Sequence, residues 1–241
     1  MSKALFKSTS VVASMTLVSR ILGFVRDMVA ARIFGATAAV DAFYIAFKIP
    51  NFMRGLFAEG SFSTAFIPTL SEYKQTRSQE EVQQFVSHIA GTLGLILLGI
   101  CILGVLGSKA LVSLFAPGLD PYRFQLAIEM LRITFPYLML ISLTALVGAN
   151  LNCYGQFWVP AFTPALLNIS LIFTAFVVTR FFKVPIEAQA WGVLLAGFLQ
   201  LGFQLPFLNR LKLLQKPKFK WRDPGVQKVL KLMLPALFGS S

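Results

Sequence analysis

Acidic side chains are scarce in this chain, ten Asp and Glu against 22 Lys and Arg, for a formal charge of +12. Charge of either sign is thin as well, at 13% of residues, too little to cover the surface of a soluble domain of 241 residues. Histidine occurs once, as His88, with no second histidine, cysteine or acid at ligand spacing, so no metal centre and no cofactor are expected. The two cysteines, Cys101 and Cys153, match neither a Cys-x-x-Cys site nor a staple and read as packing residues. A GxxxxGK[ST] phosphate loop and a nucleophile elbow are both missing, which argues against an ATP-driven pump or a serine hydrolase.

Apolar residues fill the space. They make up 56% of the chain, and the mean hydropathy is +0.71. Uninterrupted apolar stretches long enough to cross a hydrocarbon core run from Phe85 to Leu106, Ile133 to Leu151, Phe162 to Val178 and Ala188 to Leu208. Two further segments, Val11 to Ala31 and Ala42 to Leu70, have the length but carry charges, and span only if their charged faces avoid lipid. The N-terminal lysines and apolar run have the outline of a signal peptide. Arg20 interrupts it and no small-residue cleavage site follows, so a retained first helix is expected. The predicted fold is all-α: a polytopic membrane bundle of six helices with the start of a seventh at Val229 to Phe238. That last segment has about half the length of a crossing, so the chain reads as a fragment. The expected organisation is a six-helix lobe over residues 1–210, then a basic cytoplasmic loop and truncated seventh helix over 211–241.

Loop charge sets the expected orientation. One set of loops holds Lys3, Lys7, Lys74, Arg77, Arg210, Lys212, Lys216, Lys218, Lys220, Arg222, Lys228 and Lys231; the other holds Lys109, Arg123, Arg180 and Lys183. This asymmetry predicts a cytoplasmic N-terminus. It also accounts for the densest basic run, Arg210 to Arg222, as a juxtamembrane topology signal facing anionic headgroups, so a nucleic-acid partner is not expected. Small residues in the spans, among them Gly104, Gly192 and Gly197, predict close helix approach, and the interrupting prolines predict bends. Asn150, Asn152, Asn168 and Gln204 are expected to hydrogen-bond between helices.

The charges inside the first two segments carry the functional reading. Arg20, Arg26, Asp27 and Arg32 lie in or beside the first, and Lys48, Arg54 and Glu59 in the second. An arginine or lysine at the centre of a membrane helix costs about 2.5 to 3.5 kcal/mol on insertion scales, so several need a compensating environment. A water-filled cationic cavity provides one and implies an anionic cargo. At about 100° per residue Arg20 and Asp27 share a face while Arg26 points elsewhere; either the cavity wraps around the helix or the helix breaks near Gly23. The alternative is that Arg26 pairs with a neighbour and Arg20 snorkels. Arg32, near the outer end, is expected to form a salt bridge, for instance with Asp41. Arg54 offers a planar fork suited to phosphate, whereas Lys48 and Glu59 suit an ion pair or gate equally well.

These residues sit in recognisable strings. SRILGFVRDMVAARIFGA, DAFYIAFKIPNFMRGLFAEGSFSTAFIPTLSEYK, RITFPYLMLISLTALVGANLN and PAFTPALLNIS closely resemble the MurJ (MviN) lipid II flippase family of the multidrug/oligosaccharidyl-lipid/polysaccharide exporter superfamily. The resemblance implies the N-terminal lobe of a fourteen-helix transporter of the bacterial inner membrane, not an enzyme. Its cargo would be the undecaprenyl diphosphate-linked peptidoglycan precursor, moved to the periplasmic leaflet by alternating access. It implies that Arg20, Arg26 and Arg54 hold the diphosphate and headgroup, and that Asp27, Asp41, Lys48 and Glu59 balance charge or gate. Implied partners are lipid II, the membrane, the C-terminal lobe and other cell wall synthesis proteins. One departure is Arg54-Gly55, where several members have two basic residues. An exporter of another lipid-linked sugar or drug, and a non-transporting scaffold whose charges pair internally, remain as alternatives.

Overall fold

The computed structural model describes residues 3–55 and 61–239. Among these residues every regular element is helical. Helix α1 runs Lys3–Phe34 and α2 runs Ala38–Arg54, with Thr37 as the N-cap of α2. Helix α3 covers Ser61–Thr76 and α4 Gln79–Leu106; Ser78 and Glu81 close a reciprocal capping box at the α4 N-terminus. The chain continues through α5 (Ser108–Phe115), α6 (Pro121–Thr134), α7 (Tyr137–Cys153) and α8 (Trp158–Phe173). Helix α8 prolongs into a π-helical turn at Thr174–Val178 and a 3₁₀ turn at Thr179–Phe181, and α9 (Glu187–Arg210) and α10 (Pro224–Gly239) complete the order.

Among the described residues, five stretches are long and apolar enough to cross a membrane: Thr9–Phe34, Gln79–Leu106, Pro121–Cys153, Trp158–Phe181 and Glu187–Arg210. Four contain the clean spans expected from sequence and one is the charged first segment. The remaining charged segment is described as α2 and α3, of 17 and 16 residues, each with an internal proline, Pro50 and Pro68; residues 56–60 between them lie outside the described residues. The all-α bundle therefore stands.

Two helix starts rest on Asp-Pro pairs. Asp120-Pro121, in the break between α5 and α6, starts α6: Asp120 Oδ1 accepts from the Tyr122 and Arg123 amides while Pro121 occupies the first turn. Asp223-Pro224 does the same for α10, its Oδ1 accepting from Gly225 at 2.9 Å and Val226 at 3.2 Å, so that helix begins five residues before Val229. The basic run between α9 and α10 is therefore not a loose loop.

Packing depends on the small residues. A Cβ on Gly104 would fall 2.0 Å from the Phe135 ring, on Gly192 2.4 Å from Thr174 Oγ1, and on Gly197 2.8 Å from Leu140. These three are contact points between helices, as expected where lipid supplies no hydrophobic drive and close van der Waals approach must. Two apolar clusters result. One gathers Ile49, Met130, Phe135 and Tyr137 where α2, α6 and α7 meet, and the other gathers Phe62, Phe66, Phe85 and Val226 around α3, α4 and α10.

Candidate anion-binding site

Helix α1 lies against α8, and the residue between them is Asn168, 7% exposed. Its Nδ2 donates to the Ser19 carbonyl at 3.0 Å, and its Oδ1 accepts from Arg26 Nη1 at 3.0 Å. Gly23 faces Asn168: a Cβ there would stand 3.7 Å from its amide, in ordinary contact. Helix α1 stays continuous through Gly23, so of the two geometries open at the sequence level the unbroken helix is the one observed.

Arg26 uses its remaining edge on its neighbour. Nε and Nη2 donate to Asp27 Oδ1 at 2.9 and 2.7 Å. The guanidinium thus has a neutral amide on one side and an exposed carboxylate on the other, the second being the easier partner to exchange for an incoming anion. Both residues line a cavity of about 320 Å³ between α1 and α2, with Asp41, Tyr44 and Gln189 on its other walls. Asp41 pairs with Arg123 of α6 at 3.4 Å; no Arg32–Asp41 ion pair forms.

Arg54, at the end of α2, lines a second cavity of about 380 Å³ between α2, α3, α7, α8 and α9. Its Nε donates to Asn51 Oδ1 at 3.1 Å. The opposite wall is an amide and hydroxyl network: Tyr137 Oη donates to Gln200 Oε1 at 3.2 Å, Gln200 Nε2 to the Thr163 carbonyl at 3.2 Å, and Gln204 Nε2 to Thr163 Oγ1 at 2.8 Å. Gln204 Oε1 is buried with no partner among the described residues, leaving an acceptor in the cavity lining for a ligand hydroxyl or amide.

The sequence-predicted residues are therefore brought together only in part. Arg26, Asp27 and Asp41 share one cavity and Arg54 lies in the other. Arg20 is exposed on the α1 face that also carries Phe24 and Asp27, and Lys48 is exposed on the α2 face that carries Asp41, Tyr44 and Asn51. Glu59 lies outside the described residues. Asn51, Gln200 and the orienting role of Asn168 were not singled out from sequence. Asn168 is 142 positions from Arg26, and only the fold shows which arginine it meets.

The chain is similar to known proteins over nearly its whole length. A family model described as lipid II flippase MurJ matches residues 30–241. A probable lipid II flippase MurJ of Vibrio cholerae is 46% identical over 100% of this chain and 47% of its own length. The corresponding protein of Haemophilus influenzae is also 46% identical, over 94% of this chain and 46% of its own, and the lipid II flippase MurJ of Burkholderia cenocepacia is 41% identical over 98% and 47%. A solved structure of a lipid II flippase MurJ in an inward closed conformation superposes with a TM-score of 0.76 at 32% identity, covering 94% of this chain and 46% of that one. The chain spans about half the length of the curated relatives it matches.

Proposed function

Since the chain belongs to the lipid II flippase MurJ family, we propose that it is the N-terminal lobe of a transporter that carries lipid II across the bacterial inner membrane. The cargo, an undecaprenyl diphosphate bearing a disaccharide-pentapeptide, passes from the cytoplasmic to the periplasmic leaflet by alternating access. The role is transport rather than catalysis. Residues 1–210 form the lobe, and residues 211–241 lead from it towards a C-terminal lobe that closes the other side of the pathway. The loop charge supports a cytoplasmic N-terminus.

One observation carries the reading: Arg26 is aimed into an open cavity by Asn168 and neutralised by a single exposed carboxylate, Asp27. A diphosphate oxygen replaces Asp27 on Nε and Nη2 while Asn168 keeps hold of Nη1. The arginine then never stands without a partner, which limits the cost of carrying it inside the membrane. Arg54, with Asn51 beside it, offers the second cationic station, and Gln204 Oε1 and Gln200 line the space for sugar or peptide donors. The exposure of Arg20 on the α1 face of Asp27, and of Lys48 on the α2 face of Asp41, supports a role for both in meeting the cargo as the lobes rock. Asp41 and Glu59 complete the charge-balancing set.

The Arg26–Asp27 pair also favours a second reading, a scaffold in which the charges only satisfy one another. One experiment separates the two. Full-length protein with Arg20, Arg26 or Arg54 replaced by alanine is tested for rescue of cells depleted of their own flippase, with membrane abundance measured in parallel. Normal abundance without rescue supports the anion pathway; loss of abundance supports the scaffold, and full rescue refutes the arginine mechanism.

A further inference from the structure

The basic run after α9 is a strap held against α4. Ser87 Oγ donates to the Lys216 carbonyl at 2.6 Å, the Lys218 amide donates to the Ser87 carbonyl at 3.1 Å, and the Lys220 amide donates to Thr92 Oγ1 at 3.3 Å. Gly91 permits this, since a Cβ there would stand 2.4 Å from the Lys218 carbonyl carbon. The strap then turns at Trp221 and Arg222 and is pinned again where Asp223 Oδ2 meets His88 Nδ1 at 2.9 Å. It is an excursion along α4 from Ser87 down to Thr92 and back to His88.

The depth of that excursion follows from the length of α4. Its outer end is Leu106, and a crossing needs about 20 residues, which places the cytoplasmic edge of the hydrocarbon near Ser87. The strap tip meets Thr92 five residues further in, so it lies about 8 Å inside that edge, among the acyl-chain segments nearest the glycerol, and its lysine and arginine stems can reach outward to the lipid phosphates. Its side chains suit that position: Phe219 is 60% exposed and Trp221 49%, alternating with exposed Lys218, Lys220 and Arg222. Aromatic rings belong at the headgroup level and cations belong beside lipid phosphates. Between the strap and α4 lies a cleft of about 520 Å³ bordered by Lys216, Lys218, Gln84 and His88, with Glu80 also in its wall.

We propose that the strap, residues 216–222, is an interfacial anchor that binds anionic phospholipid headgroups of the cytoplasmic leaflet, with Phe219 and Trp221 inserted among the acyl-chain ends nearest the glycerol. The occupant is the phosphate of a bilayer lipid, because the tip is at lipid depth and combines rings with cations. The anchor goes beyond the transport reading and does not depend on which cargo is carried.

The test uses full-length protein in liposomes of phosphatidylglycerol and phosphatidylcholine. Trp221 emission is isolated by subtracting the spectrum of Trp221→Phe, and quenching is compared for lipids brominated near the glycerol and near the chain terminus. Strong quenching by the first and weak quenching by the second is expected. Spin-labelled phosphatidylglycerol is expected to be immobilised in preference to phosphatidylcholine, a preference reduced at least about fivefold in Lys218→Gln/Lys220→Gln/Arg222→Gln. An unquenched Trp221, packed against the rest of the protein or free in water, overturns the proposal. So does a quenched Trp221 with no headgroup preference that the triple variant lowers. The quenching measurement does not use the triple variant, so it stands even if that variant misfolds.

Discussion

Replacing Asn168 with aspartate tests the geometry of the candidate site with almost no change of shape. In the native lobe Asn168 gives Arg26 a neutral acceptor at 3.0 Å and leaves its positive charge to be contested between Asp27 and an anion. Asn168→Asp places a second carboxylate on the guanidinium. Two unit charges about 4 Å apart interact by about 4 kcal/mol at an effective dielectric of about 20. Arg26 retains 28% side-chain exposure, so we take about half of that, about 2 kcal/mol, as the added penalty against a diphosphate in the same place. This corresponds to roughly thirtyfold weaker lipid II binding. Asn168→Leu is the counterpart: it removes both interhelical hydrogen bonds, worth about 0.6 kcal/mol each on average in membrane proteins, but adds no charge. The assay is lipid II affinity of purified full-length protein, with thermal unfolding measured alongside. Binding by Asn168→Asp equal to that of the native protein, while Arg26→Ala loses binding, refutes the placement of the anion at this edge of Arg26.

Two further substitutions address the frame around the site. Gly104→Ala puts a Cβ into the Phe135 ring, so destabilisation of about 1 to 3 kcal/mol is expected, read as a lowered melting temperature and partly reversed by Phe135→Leu. Asp223→Ala removes both the cap of α10 and the His88 partner, for an expected loss of about 1 kcal/mol or more, whereas Asp223→Asn retains the cap; amide hydrogen exchange at Gly225 and Val226 should accelerate only in the alanine variant.

What sequence revealed depended on whether a signal was local. The spans around Phe85 to Leu106 and Ala188 to Leu208 are legible because an apolar run of that length has few other uses, and α4 and α9 follow them closely. The Arg26–Asp27 pair was visible as two adjacent letters. The meeting of Asn168 with Ser19 and Arg26, and that of His88 with Asp223, join positions more than a hundred residues apart, and no periodicity encodes them. In the charged second segment Pro50 and Pro68 both lie inside helices, α2 and α3, so neither proline marked a helix end. The Asp-Pro pairs at 120–121 and 223–224 both serve as helix starts, the acid capping the following amides and the proline filling the first turn.

Helix α1 is a single rod of 32 residues, about 48 Å long, whereas a bilayer with its headgroups measures about 40 to 45 Å. A rod longer than the membrane it crosses acts as a lever. With no proline and no break at Gly23 to absorb an angle, a tilt imposed at the N-terminal end arrives at Arg32 undiminished, and Arg20 and Arg26 travel together. A hinge engineered at Gly23 would uncouple the two ends of the rod.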